Sequence, residues 1–394
     1  MHRCYHMTTL TTTRRLYDMP LLLLCASNFF FSASFQMLIP ELPDHLTSLG
    51  GADYKGYIIA LFTLTAGISR PFSGKLTDSI GRVPIMVFGS LVCVLCSALY
   101  PFMTTVFGFL LLRLAHGFST GFKPTATAAY VADIVSMERR GEAMSAIGIS
   151  SSIGFSVGPV LGSWITEGFG FNGLCILSSF SALLSVVILV KNMDETLVVR
   201  QKFSFKLLKI NRFEIFEPAA MPTFIVQFLL SFASGTCLTL IPDLTKQIGI
   251  GNKGLFFAVF TASSLVIRLV AAKSSDKHGR VLVLRWAALS VIISMVIIAW
   301  FHSVSAFMVA SVIYGIGWGL NTPTLQAWAV DLVSPESRGR GLATMFIALE
   351  AGIGVGAWLS QAMYQNDPNR IGLAFEVSAL LALVALTYLF LHKK

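Results

Sequence analysis

This chain carries little charge. Only 12% of its 394 residues are Asp, Glu, Lys or Arg, set against 55% hydrophobic residues. Ordinary soluble domains carry about 25% charged residues, and a soluble protein of this make-up would expose far more apolar surface than water tolerates. The solvent is therefore read as a lipid bilayer. Also missing are a Gly-rich phosphate loop ending in Lys-Ser/Thr, any metal-ligand spacing, a soluble domain of useful size, and an assembled nucleophile, base and oxyanion set. ATP-driven pumping by this chain alone and enzyme activity are excluded on that reading, and no cofactor or metal is expected. The six cysteines (4, 25, 93, 96, 175 and 237) are scattered. Cys93-x-x-Cys96, mid-helix and without a second pair, reads as two small apolar side chains. Met1–Asp18 is polar and the first apolar run is too long for a signal h-region, so no cleavable leader is expected.

What the chain does have is long apolar runs. Spanning a bilayer takes roughly 20 apolar residues. Twelve runs qualify, at about 20–40, 56–74, 84–101, 105–131, 142–166, 172–191, 219–242, 254–272, 281–301, 304–330, 341–363 and 371–391. The net charge of +9 could suggest nucleic acid, but its distribution argues against that partner. With the amino terminus inside, inner loops and tails hold 20 Lys/Arg and outer loops hold four. That bias is the positive-inside rule and puts both termini in the cytoplasm. Residues 192–218 form the one long interior loop. Its basic and apolar stretch Lys202–Glu217 reads either as an interfacial segment or as a tether with basic anchors.

The chain repeats itself. Gly74-Lys-Leu-Thr-Asp78-Ser-Ile-Gly81-Arg82-Val83 returns 198 positions later as Lys273-Ser-Ser-Asp276-Lys-His-Gly279-Arg280-Val281, and 11 of the 29 positions from 55 to 83 are identical under that shift. Asp133, Glu138, Arg140 and Gly141 meet Asp331, Glu336, Arg338 and Gly339, and Gly154 and Gly158 meet Gly352 and Gly356. One register held across three helices and two loops means two related halves, as in many secondary transporters. The halves are 1–191 and 219–394, six spans each, joined by 192–218.

These residues resemble the major facilitator superfamily. Gly74-x-Leu76-x-Asp78-x-x-Gly81-Arg82 matches its signature between helices two and three. Arg113-x-x-His116-Gly117 resembles its helix-four motif, with His where Gln is common. Gly154-x-x-x-Gly158-Pro159-x-x-Gly162 resembles the helix-five motif of its antiporters and exporters. The second signature copy departs at its start, Ala272 standing in place of Gly. The resemblance implies an all-α membrane fold of twelve helices in two pseudo-symmetric bundles. It is closest in kind to bacterial twelve-helix efflux proteins.

Each motif has a physical reading. Gly81 and Gly279 permit sharp turns. Arg82 and Arg280 can clamp a carboxylate, with Asp133 and Asp331 as natural partners, a pairing the resemblance also implies. Asp78 can accept from the amino terminus of helix eleven near Gly341. These contacts read as a cytoplasmic latch or as plain topological anchors. Asp276 is the second copy of Asp78. Glu41 and Asp243, each following a proline at the outer end of helix one or seven, read as an outer gate or its caps. Arg70 and Arg268, symmetry-related, read as scaffolding or gate bracing.

Arg113, His116, Thr120, Lys123 and Thr127 share one face of helix four. A charge at mid-membrane costs about 2.5–3.5 kcal/mol on insertion scales, so this face must meet a wet cavity or buried partners. The resemblance implies that helices one, four, seven and ten line the central cavity. Asn28, Gln36, Arg113, His116, Lys123, Gln227, Tyr314, Trp318 and Asn321 are therefore the candidate substrate-binding residues, with bracing the other reading for Arg113 and a satisfied polar residue the other reading for His116. Glu350 is the deepest acid. It reads as the proton-coupling site, relayed by His116, or as a static ion pair with Lys123 or Arg113. Helix one has no acid at its middle, which points to an anionic, zwitterionic or polar amphipathic substrate. The expected protein is a monomeric, proton-coupled exporter of a small molecule in a bacterial inner membrane. The alternatives are an importer or facilitator of the same fold, or a transporter-like ligand sensor.

Overall fold

Gly81 and Gly279 both sit at positive φ (138° and 88°). Each lets the chain reverse between two helices, a conformation that costs an L side chain with a Cβ. In the computed structural model, which describes residues 18–136, 139–197, 199–209, 216–271, 274–334 and 337–392, such turns divide the chain into twelve long helices, and the described residues contain no strand. These are α1 (Met19–Leu38), α2 (Lys55–Ser79), α3 (Arg82–Leu99), α4 (Val106–Ile134), α5 and α6 within Arg140–Asn192, α7 (Met221–Gln247), α8 (Leu255–Val270), α9 (Arg280–Trp300), α10 (Val304–Asp331), α11 (Arg338–Tyr364) and α12 (Ile371–Leu391). Gly170, at φ 70° and ψ −177°, breaks Arg140–Asn192 into α5 (140–169) and α6 (171–192). Among the described residues, eight helical stretches are long and apolar enough to cross a membrane, one of them the 53-residue stretch that holds both α5 and α6. The others are α2 and α4, which carry Arg70, Arg113 and Lys123 within their length, and the short apolar α8.

The halves repeat in detail. Thr105 caps α4 by accepting from Gly108 N (3.2 Å), and Ser303, 198 residues on, caps α10 by accepting from Ala306 N (3.3 Å). Such caps satisfy one of the free amides at a helix start. In one half α5 lies on α1, and in the other α11 lies on α7. Glycines allow both approaches: a Cβ on Gly154 or Gly158 would stand 2.8 Å from the carbonyl oxygen of Phe29 or Ala33, and one on Gly352 would stand 2.5 Å from that of Phe228. Small residues at such crossings let backbones meet and gain van der Waals contact where lipid offers no hydrophobic drive. Large apolar side chains such as Leu95, Trp164, Ile176 and Val266 point outward, more than half exposed, as a lipid-facing surface requires.

The two bundles meet along two seams, α2 against α11 and α5 against α8. Both seams run in the same register. A Cβ on Gly56 would press on Ala357, and one on Gly254 would press on Pro159, its counterpart 198 positions earlier. In the loop after α6, Phe205–Leu208 forms a 3-10 turn on α2, with Leu207 and Leu208 against the apolar core. Residues 210–215 of the expected interfacial stretch lie outside the described residues.

Candidate functional site

Four groups of polar residues occupy the molecule, and they are arranged by depth. At the end opposite the two Asp-x-x-Gly-Arg loops, ion pairs cross between bundles. Lys55 Nζ donates to Asp243 Oδ2 at 2.7 Å, both side chains 8% exposed. Lys253 Nζ donates to Glu41 Oε2 at 2.5 Å and Asp44 Oδ2 at 2.7 Å. Lys246 pairs with Asp44 as well. Lys55 and Lys253 are mates under the 198-residue shift, while Glu41 and Asp243, 202 positions apart, hold equivalent places after Pro40 and Pro242 at the outer ends of α1 and α7. Each bundle's lysine thus takes the other bundle's acid. Ser163 Oγ donates to Glu41 Oε1 (2.9 Å), completing its shell. Burial alone would lower the pKa of Lys253, but the adjacent Glu41 and Asp44 outweigh it and hold the pKa above the ordinary lysine value. Lys253 therefore stays charged throughout the neutral range. Sequence reasoning found the two acids and missed the two lysines. Their position under the 198-residue shift was the available signal.

At the loop end the charges pair within each bundle. Arg82 Nε donates to Asp133 Oδ2 (3.0 Å) and Nη1 reaches Asp78 (3.1 Å), while Arg280 Nε donates to Asp331 Oδ2 (2.9 Å). The expected bond from Asp78 to the start of α11 is not made. Asp78 is 72% exposed, and Gly341 packs on Ala329 and Val333 of its own bundle. The side chain of Asp276 lies outside the described residues. Glu195, absent from the sequence reading, accepts from Arg82 N and Val83 N at 3.0 Å each. A carboxylate at the start of α3 offsets its orphan amides and complements its dipole.

The basic face of α4 turns into the first bundle. Arg113, His116 and Lys123 are all 0% exposed. Arg113 Nε donates to Ile58 O (2.9 Å), Nη1 to Tyr100 OH (3.3 Å), and the guanidinium lies 4.5 Å from the Phe62 ring centroid. His116 bonds Tyr100 OH through Nδ1 (3.1 Å) and Cys93 Sγ through Nε2 (3.3 Å). Lys123 Nζ donates to Ser27 O and Oγ (3.0 Å each) and Ser185 Oγ (2.5 Å), with the Phe31 ring at 4.5 Å. Of the two expectations for this face, buried partners and not a wet cavity describe the geometry. The physical reason is that α2 and the end of α3 supply Arg113 with a carbonyl, an aromatic face and a hydroxyl, and α1 and α6 supply Lys123 with hydroxyls, a carbonyl and an aromatic face. These groups replace most of the water around the cations, Arg113 Nη2 alone being buried without a partner. No carboxylate bonds Lys123, so its ammonium keeps a desolvation cost. Lys123→Met, similar in volume, is expected to keep thermal stability within about 1 kcal/mol or to raise it. Ser27 and Ser185 already bond each other at 2.9 Å. A thermal melt of purified protein reads the outcome.

The remaining candidates divide. Asn28 Nδ2 is taken up by Ile147 O (3.4 Å) and Ser151, Gln227 by Ser231 (2.5 Å) and Tyr314 by Ser234 (2.6 Å). Gln36 and Trp318 are half-buried, with no side-chain hydrogen bond among the described residues. Asn321, the repeat mate of Lys123, is 1% exposed and leaves both amide atoms unpaired.

Between the two ends, Glu350 Oε1 accepts from Arg70 Nη2 across the α2–α11 seam at 2.6 Å, with side chains 11% and 19% exposed. The Arg70 guanidinium lies 5.0 Å from the Phe346 ring centroid. The partner of Glu350 is thus Arg70, and neither Lys123 nor Arg113, both of which are enclosed in the first bundle.

Two helical bundles, closed on each other at one end by crossed ion pairs and joined deeper by a cross-seam ion pair, have the build of a membrane transporter. The chain belongs to the Major Facilitator Superfamily, whose family model matches residues 24–221 and 223–394. It is 29% identical to Multidrug resistance protein 2 of Bacillus subtilis over 252 residues, an alignment covering 61% of this chain and 62% of that protein. It is 24% identical to the multi-drug resistance efflux pump PmrA of Streptococcus pneumoniae over 336 residues, covering 81% and 82%. Among solved structures, a D-xylose–proton symporter superposes with a TM-score of 0.78 at 14% identity, covering 94% of this chain and 96% of that one. The human organic anion transporter MFSD10 superposes with a TM-score of 0.70 at 19% identity, covering 94% and 98%. At these identities the structural matches speak for the fold alone.

Proposed function

We propose that the protein exports a small anionic, zwitterionic or polar amphipathic molecule across the bacterial inner membrane in exchange for protons, working as a monomer by alternating access. The observation that carries the reading is the Arg70–Glu350 pair, a deep carboxylate held across a seam that must rearrange in every cycle. A carboxylate paired in one state and released in the other takes up a proton in the second, which links proton movement to the change of shape. The direction rests on the relatives named multidrug resistance proteins and efflux pumps. The excess of Lys and Arg around the loop end favours a cytoplasmic loop face and cytoplasmic termini.

On this reading the crossed pairs Lys55–Asp243 and Lys253–Glu41 form the outer gate, closed here. Arg82, Asp78 and Asp133, with Arg280, Asp276 and Asp331, form the cytoplasmic latch, which engages across the bundles only when the outer gate opens. Gln36, Trp318 and Asn321 retain free groups to meet the transported molecule. Inside-out vesicles with an acidified lumen test the reading. An exporter accumulates an organic anion such as carboxyfluorescein, or an amphipathic dye such as rhodamine 6G, in them and loses that accumulation when a protonophore is added. Gradient-independent equilibration of every dye tried would leave a facilitator instead.

A further inference from the structure

The two seams share one register, so each residue of the α2–α11 seam has a counterpart in the α5–α8 seam. Ser156 Oγ donates to Ala258 O at 3.2 Å, and Gly354, 198 positions after Ser156, lies against Thr63 and Ala60, the latter the counterpart of Ala258. Carried toward the loop end, the same register sets Arg268 where Arg70 stands, Ser152 where Glu350 stands and Gly148 where Phe346 stands. The first seam gives its arginine a carboxylate and an aromatic ring. The second gives its arginine a hydroxyl-bearing residue and no side chain at all. A Cβ built on Gly148 would meet nothing within 4 Å, so room is left at that level. Arg268 is half-buried. Its Nε is buried without an acceptor, as is that of Arg70, but where Arg70 has Glu350 and the Phe346 ring, Arg268 makes no hydrogen bond, ion pair or ring contact among the described residues. A guanidinium in that state lacks only an anionic oxygen group, which its planar fork is shaped to hold.

We propose that Arg268, facing the gap at Gly148 and Ser152 in the α5–α8 seam, anchors a carboxylate or phosphate group of the small molecule this protein binds. The inference deepens the export reading and rests on it for the identity of the ligand as cargo. The asymmetry between seams then has a division of labour: Arg70 is quenched by Glu350, and Arg268 is left for the ligand. A phospholipid headgroup offers the same chemistry, and the experiment separates the two sources.

Full-length protein in phosphatidylcholine nanodiscs is titrated against carboxyfluorescein and, separately, rhodamine 6G, with fluorescence anisotropy as the readout. Carboxyfluorescein is expected to bind saturably. Arg268→Gln is expected to raise its Kd about tenfold or more, the size of one lost charge-assisted hydrogen-bonded contact, and to leave rhodamine 6G unchanged. Arg268→Lys keeps the charge but not the fork, and falls between. Ser152→Glu rebuilds the partner found in the other seam. It should abolish carboxyfluorescein binding as fully as Arg268→Gln while keeping or raising thermal stability, and so covers the case in which the arginine variant fails to fold. Absence of saturable carboxyfluorescein binding by the wild type, or equal binding by Arg268→Gln and Ser152→Glu, overturns the proposal. So does loss of co-purifying phosphatidylglycerol, measured by native mass spectrometry, in an Arg268→Gln protein that still binds the dye normally; that outcome assigns the site to lipid. Because binding is read without a gradient, a wild type that binds through Arg268 yet moves nothing in vesicles overturns export alone.

Discussion

Lys55→Met is expected to open the sealed end and abolish uphill transport. The Lys55–Asp243 pair is 92% withdrawn from solvent on both sides, and the variant leaves Asp243 there without its cation. Removing one partner of a buried pair costs about 3–5 kcal/mol. The cost falls on the sealed state only, because opening this end returns Asp243 to water. A difference of about 3 kcal/mol moves a two-state equilibrium by more than a hundredfold. A population that rests sealed would come to rest open. Pulsed EPR distances between spin labels at the exposed positions Ser48 and Asn369, in a background with the native cysteines replaced by serine, should lengthen. The exchange Lys55→Asp with Asp243→Lys should return both the short distance and a large part of the transport. Unaltered distances in Lys55→Met would mean that the apolar contacts at this end hold the seal without the pair.

The crossed arrangement shows what a sequence can and cannot disclose. The 198-residue register identified Lys55 with Lys253, and the outer prolines identified Glu41 with Asp243. Neither relation states that the lysine of one half meets the acid of the other, because that is set by how the bundles face each other across positions 188 and 212 residues apart. The loop pairs Arg82–Asp133 and Arg280–Asp331 were legible for the opposite reason. They lie within one bundle, at the ends of sequential helices, where connectivity alone brings them close. Helix α4 is the intermediate case. Its 3.6-residue period correctly placed Arg113, His116 and Lys123 on one face, but a period gives no azimuth. The same stripe could have faced the space between bundles or the packing of α1, α2, α3 and α6 within the first bundle, and it faces the latter. Depth misled in the same way for Glu350. Counting residues along α11 put it at the level of the α4 cations, yet level without azimuth could not choose between those and Arg70 on the neighbouring α2. Glu195 was illegible because its role depends on a loop folding back onto the start of α3, which leaves no periodic trace.

The second large effect belongs to Glu350, and it must be separated from simple loss of an ion pair. Glu350→Gln keeps the size and a hydrogen-bond acceptor for Arg70 but can neither carry the charge nor load a proton. If the pair only braces the α2–α11 seam, the variant should lose stability and all transport together, and Arg70→Gln combined with Glu350→Gln should restore both, since two neutral amides leave no stranded charge. If Glu350 couples, the single variant still binds its dye and still equilibrates it down a gradient. Uphill accumulation driven by a pH gradient falls to background, and the double variant does not recover it. The energetic stake is fixed by the proton: one charge moved through 100 mV is worth about 2.3 kcal/mol, close to a fiftyfold concentration ratio, and all of that is forfeited when the carrier group cannot change its protonation. Proteoliposomes loaded with a pH-sensitive dye read both quantities at once, since substrate addition moves protons only in a coupled protein. Full accumulation by Glu350→Gln would remove this residue from the cycle and shift the search to the remaining acids at the sealed end, Glu41 and Asp243, each paired with a lysine of the other bundle.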